Sequence, residues 1–217
     1  MSEGLVVVTH TNPKANRDIS KCVESVRIAL PPNSKHLIIE LDDQKEDFQQ
    51  ARYNAMSQGE IVVMVDDDDY ISPDSLNLCL QALRDTNAGL AFTYEVVVRM
   101  DGTHICNTRR IKYEMISNNP QIIHQMCAIR TKFVSSRPIE CAFRHGTGIE
   151  WLMKAEAALM GGAVQVPIKG YYWVQHQIQR HKTIAWQTGF RDKLIDLRND
   201  INSWSDRTGL IPVHSIR

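Results

Sequence analysis

The sequence predicts an open, mostly parallel α/β sheet flanked by helices. Short apolar runs alternate with segments of helical period up to residue 88. The third run, IVVMV at 61–65, is continuous and rich in β-branched residues, as a central parallel strand covered on both faces reads. It ends directly in four aspartates, Asp66, Asp67, Asp68 and Asp69. Open α/β sheets bind ligands there, beyond the carboxyl ends of their strands.

The elements follow in order. LVVV at 5–8 reads as a buried strand that ends in the polar turn Thr9-His10-Thr11-Asn12-Pro13. Ile19, Cys22, Val23, Val26 and Leu30 share one helical face, and Pro31-Pro32 stops that helix. HLIIEL at 36–41 is a second strand, ending in Asp42-Asp43. Phe48, Ala51, Arg52 and Ala55 suit a short helix closed near Gly59. Pro73 and Asp74 open another, with Leu76, Cys79, Leu80 and Leu83 inside.

Beyond residue 88 the pattern becomes mixed. Residues 90–98 read as a strand that turns at Asp101-Gly102 into Thr103-His104-Ile105. Further strands are expected at 126–130 and 164–173, with a helix at 149–160 between them. Phe190, Leu194, Leu197, Ile201 and Trp204 step by four and three along a last helix, about 184 to 204. Residues 184–217 therefore read as a helical tail packed on a domain of residues 1–183. A homo-oligomer contact through that helix is the alternative.

Composition narrows the classes. A chain of 217 residues with 43% hydrophobic content can build one sizeable core. Lys+Arg and Asp+Glu are both 25, so nucleic acid is not the default partner. The five cysteines (Cys22, Cys79, Cys106, Cys127, Cys141) are scattered and form no Cys-x-x-Cys pair, which reads as a reduced, cytoplasmic protein. No signal-peptide pattern and no long apolar span is apparent, so no stable membrane insertion is expected.

Four adjacent carboxylates repel one another and are poorly solvated together at a strand end. A divalent cation with hard oxygen ligands, Mg²⁺ or Mn²⁺, relieves this, usually shared with phosphate oxygens. A solvated acidic turn leading into the Pro73 helix is the alternative. Alternate residues on an extended turn can aim two carboxylates at different parts of one ligand.

Residues 51–76, ARYNAMSQGEIVVMVDDDDYISPDSL, carry a specific resemblance. They are similar to the central stretch of family 2 glycosyltransferases of the GT-A fold. Arg52, Asn54, Ala55, Gly59, Glu60, Asp66, Asp68, Asp69, Pro73 and Leu76 match that pattern in order. The resemblance implies a GT-A-like sheet and a metal-dependent, inverting transfer from a nucleotide-diphosphate sugar, with a UDP-sugar favoured, to an unidentified acceptor. It implies that Asp66 contacts the donor ribose or the metal. Asp68 would ligate the Mn²⁺ or Mg²⁺ that holds the diphosphate. Asp67 would be a further ligand or would organise the backbone, as would Asp69.

By the same resemblance, Thr9, Thr11 and Asn12 line the nucleotide pocket; Asn12 matches the family's Pro-Thr-Tyr-Asn there, and the three preceding positions do not. Asp42 resembles the carboxylate that hydrogen-bonds the nucleobase, with a surface turn as its alternative. The family inserts a further helix and strand before the Arg52 segment, so this sheet is expected to lack one strand. Glu150 takes the second position of the family's Glu-Asp pair, the general base, with Gly161 at the family spacing and Ile149 in place of the first acid. Glu150 is also an ordinary first-turn acid. His176 stands where the family often places a metal-binding His, with His181 as competitor. Arg180 and Lys182 could neutralise the leaving diphosphate. Gln177 to Arg180 resembles the Gln-x-x-Arg-Trp of processive members, but His181 replaces the Trp, which implies single additions. Trp151, Trp173 and Trp186 are sugar-stacking candidates or core.

Other classes compete. A haloacid-dehalogenase-type phosphohydrolase also has an Asp-x-Asp, but at the end of its first strand. A nucleotidyltransferase would open with a Gly-rich basic loop, absent from residues 9–17. A nucleotide-sugar-binding protein without transferase activity is the non-enzyme reading.

Overall fold

The apolar runs assemble into one curled, open sheet in the computed structural model, which describes residues 4–12, 17–41, 48–111, 115, 122–123, 126–176, 184–205 and 213–215. Strand β1 (Leu5–Thr11) pairs in parallel with β2 (Lys35–Glu40) on one side and with β3 (Ile61–Met64) on the other. Helix α1 (Ser20–Ala29) joins β1 to β2. Helix α2 (Phe48–Asn54), extended by a 3-10 turn over Ala55–Gln58, is the one element described between β2 and β3. A two-residue strand β4 (Tyr70–Ile71) and helix α3 (Ser75–Thr86) complete the first half.

The second half is mixed, as expected. Strand β5 (Leu90–Val98) turns back into β6 (His104–Asn107), and β7 (Cys127–Arg130) follows. Helices α4 (Arg137–His145) and α5 (Ile149–Gly161), strand β8 (Ala163–Val174), helix α6 (Ile184–Ser205) and strand β9 (Val213–Ser215) end the chain's elements. The sheet order is β2-β1-β3-β7-β5-β8-β4, with β6 on β5 and β9 on β8. Strand β7 runs antiparallel between β3 and β5, so it divides the parallel β2-β1-β3 group from the parallel β5-β8 pair.

Alternation along the strands divides the core between two faces. Leu5, Val7, Ile61, Val63 and Val65 pack with α1 and α3. Val6, Val8, Val62 and Met64 pack with α4, α5 and α6. All of residues 61–65 are buried, which accounts for the unbroken apolar run. Helix α6 contributes Leu197, Ile201 and Trp204 to the second face. Ile195, on the same helix, is 63% exposed. Among the described residues no helix is long and apolar enough to cross a membrane.

Three elements lie outside the sequence pattern. Strands β4 and β9 have two and three residues, too few to show a period. Helix α4 begins with Pro138 in its first turn and ends at Gly146, whose φ of 71° suits glycine. Buried Glu156 on α5 accepts hydrogen bonds from the Ser135 N–H (2.7 Å) and hydroxyl (2.6 Å), which docks the start of α4.

Gly89, just before β5, packs directly against the α5 backbone. A Cβ there would lie 2.2 Å from the carbonyl oxygen of Ala157, a backbone atom of α5. Gly89→Ala should therefore destabilise the protein by about 2–3 kcal/mol, the upper part of the overpacking range. Urea unfolding checks this; a loss under about 0.5 kcal/mol would show that α5 shifts freely.

Candidate active site

Strand alternation continues past the core into the polar residues that end β1. Thr9 and Thr11 follow Leu5 and Val7 toward α1, whereas His10 follows Val6 and Val8 toward α2. Thr9 is fully buried, and its hydroxyl lies 3.0 Å from His36 Nε2 and 3.7 Å from Cys22 Sγ. The Thr9 hydroxyl is thereby turned toward His36 and Cys22. Thr11, half-buried, donates to Asp67 Oδ2 at 2.9 Å. Asn12 lies half-buried beyond it.

The aspartate run is a turn, closed by the Asp69 N–H donating to the Asp66 carbonyl at 3.1 Å. Its side chains alternate: Asp67 and Asp69 are 6% and 2% exposed, whereas Asp66 and Asp68 remain partly open to solvent. Asp69 turns inward, accepting from the Tyr171 hydroxyl and from the Val174 N–H at 2.8 Å. Burial first, then the Asp66 and Asp68 carboxylates, push its carboxyl well above the usual range. Asp69 is thus the anchor of the turn to β8, the backbone-organising alternative of the sequence reading.

The repulsion within the run is countered by the protein's own cations. Arg52, buried on α2, donates to Asp66 at 2.5 Å. Its Nε also lies 3.0 Å from Glu150 Oε1, an ion pair whose N–H is not aimed closely enough for a hydrogen bond. Burial opposes the charge on Arg52, but Glu150 and Asp66 outweigh it and raise its pKa. Arg17 donates to Asp67 at 3.0 Å and to Asp68 at 3.2 Å. His176, just beyond β8, places Nε2 2.6 Å from Asp68 Oδ2. Arg17, Tyr171 and His10 were not singled out by the sequence pattern; an isolated residue shows no spacing that betrays its partner.

Glu150 reaches the site because α5 starts there. Gly148 caps that helix with φ 92°, and the Ile149 N–H donates to Gln49 of α2 at 3.0 Å. This contact ties α5 to the helix that carries Arg52. Trp151 is 5% exposed and belongs to the core, and Trp173 packs partly buried on the opposite face. Asp42, Arg180, His181 and Lys182 lie outside the described residues, as does the Trp186 side chain.

The donor chemistry suits a hard divalent ion only in part. Asp68 and His176 converge on one partly open point, offering one oxygen and one nitrogen. Asp66 is drawn instead to Arg52. Among the described residues, the one group of three such ligand atoms lying within 4.8 Å of one another is elsewhere, at Cys141, His145 and Asp200. Arg52 holds Asp66 as Arg17 and His176 hold Asp68, so each of the expected ligands Asp66, Asp68 and His176 has a partner within the protein.

His10, 5% exposed, lies beside Arg52. Burial first, then the Arg52 charge, lower its pKa to about 4. The unfolded chain therefore binds a proton that the folded chain refuses between about pH 6.5 and 4. Stability should fall as the pH drops through that window, by about 3 kcal/mol at pH 4 from this residue. Urea unfolding of the wild type and His10→Gln across this range reads the difference; parallel pH profiles would rule the effect out.

No family model and no curated protein matches the chain. Solved structures do. Residues 1–349 of S. aureus TarS superpose with a TM-score of 0.54 and 13% identity, over 78% of this chain and 60% of that one. The complex of TarS 1–349 with UDP-GlcNAc gives 0.56 and 11%, over 89% and 66%. The complex with UDP gives 0.54 and 13%, over 96% and 67%. The chain spans 36% of the longer TarS structure. TarS is a family 2 glycosyltransferase of the GT-A fold, and a GT-A-like sheet flanked by helices is the fold of this chain.

Proposed function

We propose that this protein transfers a sugar from a nucleotide-diphosphate sugar to an acceptor hydroxyl, with inversion and with the help of a divalent metal. One observation carries this reading. At the carboxyl ends of β1 and β3, a partly open Asp68 beside His176 faces the Arg52–Glu150 pair across Asp66. Such a layout would set a diphosphate-binding side next to a general base. The crystallised complexes of TarS with UDP-GlcNAc and UDP make a UDP-sugar the first donor to test.

Asp68 and His176 would hold Mn²⁺ or Mg²⁺, which when bound offsets the charge of the donor diphosphate. Arg17, whose guanidinium now spans Asp67 and Asp68, can turn its donors to the same phosphates. Glu150 would take the proton of the acceptor hydroxyl as its oxygen attacks the anomeric carbon. The bond from that carbon to the diphosphate oxygen breaks, and the nucleoside diphosphate leaves with the electron pair. Arg52 would orient Glu150 and Asp66 for this step.

A thermal-shift screen of UDP-, GDP-, CMP- and dTDP-sugars with and without Mn²⁺ tests this. A matching donor at about 100 times its Kd should raise Tm by roughly 5 °C or more, and only with the metal present. Asp68→Asn should abolish the metal-dependent part. If no donor stabilises the protein under either condition, the reading is wrong.

A further inference from the structure

A second group of ligand-bearing side chains, separate from the aspartate turn, lies between α4 and α6. Cys141 and His145 stand four residues apart on α4 and so share a face. Asp200 on α6 meets them. Its Oδ2 lies 2.9 Å from Cys141 Sγ and 2.8 Å from His145 Nε2. All three ligand atoms lie within 4.8 Å of one another. Cys141 is buried at the base, whereas His145 and Asp200 are half-buried and give access from solvent.

The donor set is selective. A thiolate, an imidazole and a carboxylate converging on one point suit a borderline-soft, tetrahedral ion, and they suit Mg²⁺ or Ca²⁺ poorly. We propose that Cys141, His145 and Asp200 form a zinc site that fastens α6 to α4, with a solvent molecule as fourth ligand.

Without metal, the three groups satisfy one another by hydrogen bonds. The Cys141 thiol donates to Asp200 Oδ2. Binding replaces that proton: the sulfur–hydrogen bond breaks, the sulfur–zinc bond forms with the thiol's electron pair, and the proton leaves to solvent. Arg144 is the competitor. Its Nη1 lies 3.3 Å from both Asp200 oxygens, but its side chain is 63% exposed and can swing into water. None of these residues belongs to the proposed transferase site, so the metal site does not depend on that reading.

The full chain, purified free of metal, can be titrated with Co²⁺ as a spectroscopic probe and then with Zn²⁺. The wild type should bind one equivalent with a thiolate-to-cobalt charge-transfer band, displaced by Zn²⁺. Cys141→Ser should lose the band. His145→Gln and Asp200→Asn should weaken binding by about 10- to 100-fold or more. Asp68→Asn should keep the band, which separates this site from the aspartate turn. Circular dichroism confirms that each variant is folded. Absence of a thiolate band in the wild type, or a band that survives Cys141→Ser, overturns the proposal.

Discussion

Arg52→Met should cost about 4 kcal/mol of stability, within the range for breaking a buried ion pair, and should abolish transfer. Arg52 is 4% exposed and makes ion pairs with two carboxylates, Asp66 at 2.5 Å and Glu150 at 3.0 Å. Its guanidinium also lies 4.8 Å above the Phe48 ring, a contact that a planar cation makes well. Methionine fills comparable volume but leaves Asp66 and Glu150 facing each other with no cation between them. Arg52→Lys should recover only part of the loss, because a point charge on a flexible stem cannot hold both partners in a fork. Replacing Glu150 by Gln in the Met variant removes one of the stranded charges, so that double variant should be more stable than Arg52→Met alone. Urea unfolding of the four proteins measures each term. A loss below about 1 kcal/mol for Arg52→Met would mean that water, not Arg52, neutralises the two acids.

Glu150→Gln should lower the transfer rate by about 10²- to 10⁴-fold, the usual contribution of a positioned base, while donor and Mn²⁺ binding persist. The amide keeps the shape of the side chain and cannot accept the acceptor's proton. The rate can be read as release of nucleoside diphosphate from the donor, with water as the minimal acceptor. An unchanged rate would remove Glu150 from the chemistry. Donor binding without turnover in the wild type would favour the alternative of a nucleotide-sugar-binding protein. That alternative has a structural motive, since Ile149 stands where the family's first acid is expected and Glu150 is engaged by Arg52.

Most of the sheet was legible because burial on both faces leaves a period in the sequence. Residues 61–65 read as a central strand; β3 covers Ile61–Met64, and all five residues are buried. The helix over 149–160 and the hairpin at Asp101-Gly102 are where periodicity and turn chemistry place them. Helix α4 was not legible, since its nine residues bury only Pro138, Ile139, Cys141 and Ala142, too few to repeat a period. Thr9 is expected beside the nucleotide through the family resemblance, and what the spacing does not show is that its hydroxyl meets His36 and Cys22. Neither partner is near it in sequence.

The aspartate run shows the same division. Its position at a strand end, its four carboxylates and the Arg52-to-Glu60 segment before it are local facts, and the sequence alone determined them. Which carboxylates stay available depends on groups that arrive from distant segments. Tyr171 and Val174 of β8 take Asp69 inward. Arg52 of α2 takes Asp66, and Arg17 with Thr11 takes Asp67. Asp68 lies between Arg17 and His176. Only the tertiary structure decided that, because the strength of a charge's partner depends on its distance through space and on the burial of both, and neither is written in the spacing along the chain.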